Sequence, residues 1–125
     1  MLPPYARGMV RLIDNPARIP VPGGKLIDEY VGRVASESDG VSLARMRAPT
    51  GWQEPAQSPD FDEVTLVLSG SVVVEHRGGR TEVHAGQAVM THAGERVRYS
   101  AGPDGADYIA VCVPAFAPEL AHRDE

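Results

Sequence analysis

Cysteine is nearly absent from this 125-residue sequence: Cys112 is the single one, which excludes a disulfide within the chain. It lies in the apolar segment YIAVCV, where we expect a buried thiol rather than a nucleophile. No apolar segment approaches the roughly 20 residues of a membrane-spanning helix. Residues 1–16 lack the continuous apolar core of a secretory signal. We therefore predict a cytoplasmic protein with no membrane partner.

Basic clusters are absent as well. The chain has 12 lysine and arginine residues against 17 aspartate and glutamate residues, which gives a net charge of −5. Because proteins that bind nucleic acids usually carry a basic patch or stripe, this balance predicts no nucleic-acid partner. A length of 125 residues is typical of one domain with a substantial core.

Long amphipathic helices are missing, and short apolar segments take their place. Glycine occurs 13 times and proline 11 times, and these residues mark turns between strands. The expected strands are residues 26–35, 41–48, 64–69, 71–76, 80–84, 88–91, 97–101 and 107–113. Segment 64–68 is apolar on both faces, which predicts burial on both sides. Many short strands with regular turns are typical of an all-β sandwich or barrel.

Three regions are expected along the chain. Residues 1–24 are rich in proline and glycine, which predicts an extended arm rather than a helix. Residues 25–115 form the predicted barrel. Residues 116–125 are expected to form a loose helical turn or a disordered tail.

Two glycine-containing motifs resemble those of the cupin family. In the first, an acidic residue precedes an apolar strand that a glycine closes; in the second, two glycines enclose a short strand and a turn. The positions in register with these motifs are Gly51, Glu63, Gly70, Gly86 and Gly94. The resemblance covers roughly residues 26–114. It implies the cupin double-stranded β-helix, an all-β jelly-roll barrel.

The metal-binding histidines of most cupins have no counterparts in this chain. The resemblance places the three histidine positions at Gln57, Pro59 and Val97, and only Glu63 matches a family ligand. Proline and valine side chains cannot bind a metal, and glutamine is a weak ligand for transition metals. The ethanolamine-utilisation cupins are similar in this respect. We therefore expect no metal and no other cofactor.

Glu63 is the first candidate for catalysis. The resemblance implies that its side chain points into the barrel, where burial would raise the pKa of the carboxyl group and suit it to acid/base chemistry. Tyr99 shares the strand parity of Val97 and could donate a proton or hydrogen bond to a substrate. His92 replaces a turn proline of the family motif and is the third catalytic candidate. A glutamate paired with an arginine, a core tyrosine and a rim histidine are the ordinary alternatives.

Gln57 is the first candidate for substrate binding, because it matches a ligand position and could orient a substrate carbonyl. The other candidates surround the motif loop or lie on neighbouring strands: Trp52, Glu54, Phe61, Arg45, Arg47 and His76. The aromatic residues could form a pocket wall, and the arginines could hold an anion. Loop packing and a solvated strand face are the alternatives.

These residues favour an enzyme that binds a small organic molecule in its barrel. We expect a metal-independent isomerase, cyclase or lyase in which Glu63 moves a proton. A small-ligand-binding protein without turnover is the first alternative. A metal-dependent oxygenase that uses Glu63 with some of His76, His84 and His92 is the second. The resemblance also implies a homodimer, and the sequence leaves the substrate and the pathway open.

Overall fold

Two long strands run through the whole fold in a computed structural model that describes residues 10–124. The elements are β1 (Ala17–Ile19), β2 (Leu26–Val31), β3 (Ser42–Ala48), β4 (Asp62–His76), β5 (Gly79–His84), β6 (Ala88–Thr91), β7 (Arg98–Val113) and the helix α1 (Pro118–Ala121). All strand pairs are antiparallel, in the order β1-β2-β3-β7-β4-β5, with β6 also paired to β4. The prediction of an all-β fold is confirmed.

The long strands β4 and β7 bend where the sequence predicted breaks. Gly70 has a positive φ of 72°, and a Cβ atom built on it would lie 2.1 Å from the carbonyl oxygen of Gly105. Glycine thus lets the backbones of the two paired strands approach closely and continue without a loop. The two strands expected on either side of Gly70 are therefore one strand, and the turn expected at residues 102–105 lies inside β7.

The core lies on the inner face of the sheet. On β4, Thr65 and Val67 are fully buried, whereas Leu66 and Leu68 on the outer face are 41% and 46% exposed. This alternation follows from the two-residue period of a strand. The prediction that segment 64–68 is buried on both sides is therefore wrong, since only the inner face is covered.

Both ends of the described chain pack against the barrel. Within the described residues, β1 lies in the predicted arm and pairs with β2, while residues 1–9 of that arm lie outside the described part of the chain. The predicted tail packs on the body, because Ala121 is fully buried and the backbone N–H of Asp124 donates to the carbonyl of Ala56 at 2.9 Å. The helix α1 has four residues, and no described helix is long and apolar enough to cross a membrane.

Candidate functional site

A cavity of about 350 Å³ lies on the inner face of the sheet, which is a volume typical of small-molecule sites. Strands β2, β3, β4 and β7 form its walls, together with the loop before β4 and the C-terminal segment. Apolar walls come from Ile27, Ala44, Met46, Ala110 and Phe116. A group of polar and ionisable side chains faces the same space: Lys25, Glu54, Gln57, Glu63, Tyr99, Tyr108, Cys112 and Arg123.

Glu63 lies near the start of β4, and strand alternation turns its side chain inward with that of Thr65. Burial raises the pKa of the Glu63 carboxyl group to about 7, and repulsion from Glu54 adds to the effect. The hydroxyl of Thr65 donates to Oε2 of Glu63 at 3.4 Å. No basic group among the described residues lies within ion-pair distance of Glu63. At neutral pH the carboxyl group therefore exists in both protonation states.

Lys25 lies just before β2 and was missed by the sequence analysis. It is the single lysine among the 12 basic residues, and only 8% of its surface is exposed. Its Nζ lies 4.0 Å from the ring centroid of Trp52 and 5.5 Å from that of Tyr108. Burial lowers the pKa of the Lys25 amine to about 8. All lysine or arginine positions except position 25 hold arginine. This contrast could have drawn attention to Lys25 from the sequence.

Arg123 also escaped the sequence analysis, because it lies in the expected tail. Its guanidinium is 3.5 Å from the carboxylate of Glu54, and its Nε donates to Oε1 of Gln57 at 3.1 Å. The side chain of Arg123 is 40% exposed and that of Glu54 is 13% exposed. The pair therefore lies where the cavity opens to solvent, with Glu54 on the inner side. Burial raises the pKa of the Glu54 carboxyl group, and the neighbouring Lys25 and Arg123 oppose this shift.

Neighbouring contacts hold Arg123 in place. On one side, Nε2 of His122 lies 2.7 Å from a carboxylate oxygen of Asp60. On the other, Asp124 pairs with Arg96. The backbone of Arg123 itself bridges to that of Gln57. The C-terminal segment is therefore part of the cavity wall.

Two further polar groups of β7 face the cavity and stay neutral at physiological pH. The Tyr99 hydroxyl shares a hydrogen bond of 2.9 Å with Thr91, and burial raises the pKa of its phenol well above the ordinary value. Burial also raises the pKa of the Cys112 thiol, which lies across the strand pair from Glu63. Cys112 is buried, as its apolar sequence context predicts.

The predicted site residues divide into two groups. Glu63, Tyr99, Gln57 and Glu54 line the cavity together, and their roles in binding or catalysis stay predictions. Trp52 lies behind the cavity wall, where its ring supports Lys25. The ring of Phe61 packs against that of Phe116 at 5.8 Å in a separate apolar cluster and does not line the cavity.

The other four candidates lie away from the cavity. Arg45 and Arg47 point outward, because alternation on β3 turns Ala44 and Met46 inward, and they pair with Asp107 at 2.6 Å and Asp28 at 3.2 Å.

The two candidate histidines also lie outside the cavity lining. His92 is exposed in the turn after β6, where its backbone N–H donates to Glu95 at 2.7 Å. His76 ends β4 at the hairpin, where its ring bonds to Thr81 at 2.9 Å. All four positions are therefore corrections to the predicted site.

The cavity does not fit the usual cupin metal site. Pro59 and Val97 are packed in the core, and Gln57 pairs with the backbone of Val97 and the side chain of Arg123. Within residues 10–124, no three His, Cys, Asp or Glu side chains lie close enough to hold one metal ion. The alternative set of Glu63 with His76, His84 and His92 is therefore not formed.

Comparisons with known proteins agree with this architecture. A family model described as an AraC-binding-like domain matches residues 35–124. A curated relative from Myxococcus xanthus, named endoribonuclease YbeY, is 48% identical over 107 residues, which is 85% of this chain and 36% of that protein. The chain thus spans about a third of the length of this curated relative.

Two solved structures show the same fold. The ethanolamine utilisation protein EutQ from Salmonella typhimurium superposes with a TM-score of 0.62 at 21% identity, covering 74% of this chain and 71% of that one. An RmlC-like cupin from Shewanella frigidimarina superposes with a TM-score of 0.70 at 14% identity, covering 84% and 89%. The family match and the jelly-roll topology lead to one conclusion: the chain is a member of the AraC-binding-like domain family and has the cupin fold.

Proposed function

We propose that this protein binds a small organic molecule in the barrel cavity and moves a proton on it through Glu63. The class of reaction would be a metal-independent isomerisation, cyclisation or elimination. The observation that carries the proposal is the position of Glu63, which faces the cavity without an ion-pair partner and is held by one hydrogen bond from Thr65. A structural carboxylate in the core would instead be paired.

The protonation behaviour of Glu63 supports this role. A carboxyl group with a pKa of about 7 can accept a proton from a substrate and return it at neutral pH. An isomerase, a cyclase or a lyase needs both steps and no net redox change. General acid/base groups of this kind typically accelerate a reaction by roughly 10²–10⁴-fold.

Neighbouring groups could stabilise the charge that develops when Glu63 removes a proton. The neutral phenol of Tyr99 is a hydrogen-bond donor on the same cavity wall. Gln57 accepts from Arg123 through Oε1, which leaves its amide N–H groups for a ligand oxygen. Fixed donors of this type favour an enolate or alkoxide more than the neutral substrate.

The non-catalytic alternative also has support. The family match is to a binding domain, and the curated relative is a much longer protein. A small-ligand sensor attached to another domain would use the same cavity without turnover. The net charge of −5 disfavours binding to RNA and argues against the endoribonuclease activity named for that relative.

A proton-exchange experiment separates catalysis from binding. Small keto and hydroxy acids and their neutral analogues would be screened by thermal shift, and those that bind would be incubated in D₂O with NMR detection. Wild-type protein should exchange a carbon-bound proton of its ligand, and Glu63→Gln should reduce the rate by roughly 100-fold or more. Glu82→Gln on the exposed face of β5 is the matched control. Binding without exchange in wild-type protein would instead establish the sensor alternative.

A further inference from the structure

The single lysine of the chain is placed where lysines are rarely found. Lysine side chains are almost never fully buried unless they are paired. Lys25 is only 8% exposed and lines the cavity, and its Nζ lies near the rings of Trp52 and Tyr108. The aromatic contacts fix the end of a side chain that is otherwise flexible.

Lys25 has no hydrogen-bond or ion-pair partner among residues 10–124. Two carboxyl groups, those of Glu54 and Glu63, interact with it electrostatically but lie beyond ion-pair distance. Glu54 is paired with Arg123 instead. Lys25 and Glu63 thus line one cavity, and neither has an ion-pair partner among residues 10–124.

A lysine at this position suits a reactive amine better than a fixed positive charge, which an arginine would also supply. Arginine holds a carboxylate with two parallel bonds and keeps its charge at any physiological pH. This chain uses arginine at its other basic positions, including Arg123 at the same cavity. An amine differs from a guanidinium in that it can lose its proton and expose a nucleophilic lone pair. Burial favours this loss and lowers the pKa of Lys25 to about 8.

We propose that Lys25 forms an imine with a ligand that carries an aldehyde or ketone group. This inference rests on the proposed function, in which a small organic molecule occupies the cavity, and it names the substrate class. The substrates would be small carbonyl compounds, with the apolar part of the molecule against Met46 and Ala110.

The reaction is balanced by groups that face the cavity. The neutral amine attacks the carbonyl carbon, the C=O π bond opens, and the oxygen takes up a proton from nitrogen to give a carbinolamine. The protonated Glu63 then gives its proton to the hydroxyl group, the C–O bond breaks, and water leaves. The products are an iminium on Lys25, a Glu63 carboxylate and one water molecule. The carboxylate could then remove a proton from the carbon next to the iminium.

Reductive trapping tests this proposal. The full chain would be incubated at pH 8 with glyoxylate, pyruvate or propanal and sodium cyanoborohydride, and the adducts would be located by peptide mass mapping. The α-amino group is an internal reference, because its ordinary pKa of about 7.7–8.0 is close to that of Lys25. We expect at least one probe to modify Lys25 ten times faster than the α-amino group. Glu63→Gln should slow trapping at Lys25 at least tenfold and leave the α-amino rate unchanged.

Two controls keep the result specific. Lys25→Arg retains the charge and removes the nucleophile, so the peptide around position 25 should carry no adduct. In urea the Lys25 preference should disappear, because its pKa returns toward about 10.4. If all three probes modify Lys25 no faster than the α-amino group in the folded protein, the imine proposal is overturned. Deuterium exchange that persists in Lys25→Arg would then show that the proposed function stands without it.

Discussion

Arg123 and Glu54 form an ion pair of 3.5 Å that connects the C-terminal segment to the loop before β4. The glutamate is the more deeply buried partner, with 13% of its side chain exposed against 40% for the arginine. Loss of the arginine would therefore leave a carboxylate in the cavity wall without its counter-charge, which is more costly than the loss of an exposed pair.

We expect Arg123→Met to destabilise the protein by about 1–3 kcal/mol at pH 8, because the Glu54 carboxylate loses its counter-charge. The loss should be smaller at pH 5, since burial already raises the pKa of Glu54 and the group is closer to neutral there. Urea denaturation at both pH values measures the difference. Arg96→Met removes another ion pair of the same segment, whose partners are 60% and 49% exposed, and should cost less. Equal losses in the two variants would contradict the assigned role of Arg123.

A second prediction concerns the pH dependence of stability. The folded pKa of Glu63 is about 7, above its unfolded value of about 4.3. The folded state therefore binds more protons between these values, so the Glu63 contribution to stability is present at low pH and is lost as the pH rises through 7. Glu63→Gln should remove this dependence and be more stable than wild type at pH 8, by up to about 4 kcal/mol.

Urea denaturation of the two proteins at pH 5, 6, 7 and 8 measures this effect. The two curves of unfolding free energy against pH should diverge as the pH rises. Glu82→Gln, on exposed β5, should track wild type over the same range. A constant offset between Glu63→Gln and wild type would show that the carboxyl group of Glu63 does not titrate in this window.

The motif glycines provide a third prediction. At Gly70, an added Cβ would meet the backbone of Gly105 at 2.1 Å, and the residue also has a positive φ. We expect Gly70→Ala to cost about 3 kcal/mol or more, because backbone strain and a backbone clash act together. Gly86 has a similar φ of 84° but nothing within 4 Å of the added atom. Gly86→Ala should therefore cost only about 1 kcal/mol. Thermal melts of both variants compare the two effects, and similar losses would mean that the contact at Gly70 is relieved by movement.

Strand alternation and motif register made part of the site predictable. Glu63 begins a strand whose glycine is in register with the cupin motif, and Tyr99 shares the parity of an inward position, so both could be placed in the barrel. Arg45 and Arg47 show the limit of this reasoning. Their strand has a mixed pattern, and Ala44 and Met46 rather than the arginines face the cavity.

The remaining site residues could not be found from local patterns. Strands β2 to β7 all lie between Lys25 and Arg123 in the sequence. Each of the two residues lies in a segment without regular alternation of apolar and polar residues. Their convergence depends on the pairing of distant strands and on the packing of the C-terminal segment. The continuity of β7 was missed for a different reason, since Gly102 and Gly105 look like turn residues although they lie inside the strand, in close contact with Ser71 and the backbone of Ala48.

The outer face of the sheet supports a prediction about assembly. Cross-strand pairing places Leu66, Met90 and Val113 on the same outward face of β4, β6 and β7, where they are 41%, 60% and 52% exposed. An exposed apolar sheet face of this kind is typical of a protein–protein contact. Together with the resemblance to cupins, it favours a homodimer formed through this face.

Introduction of a charge on this face should break the dimer. We expect wild-type protein to sediment as a dimer at micromolar concentration and Leu66→Asp to sediment as a monomer with an unchanged circular dichroism spectrum, because the buried carboxylate would lack a partner. Val34→Asp is the control, since Val34 is 67% exposed in the turn after β2, outside this face. It should remain a dimer. A wild-type monomer would remove the dimer proposal, and a dimer that survives Leu66→Asp would place the contact on another surface.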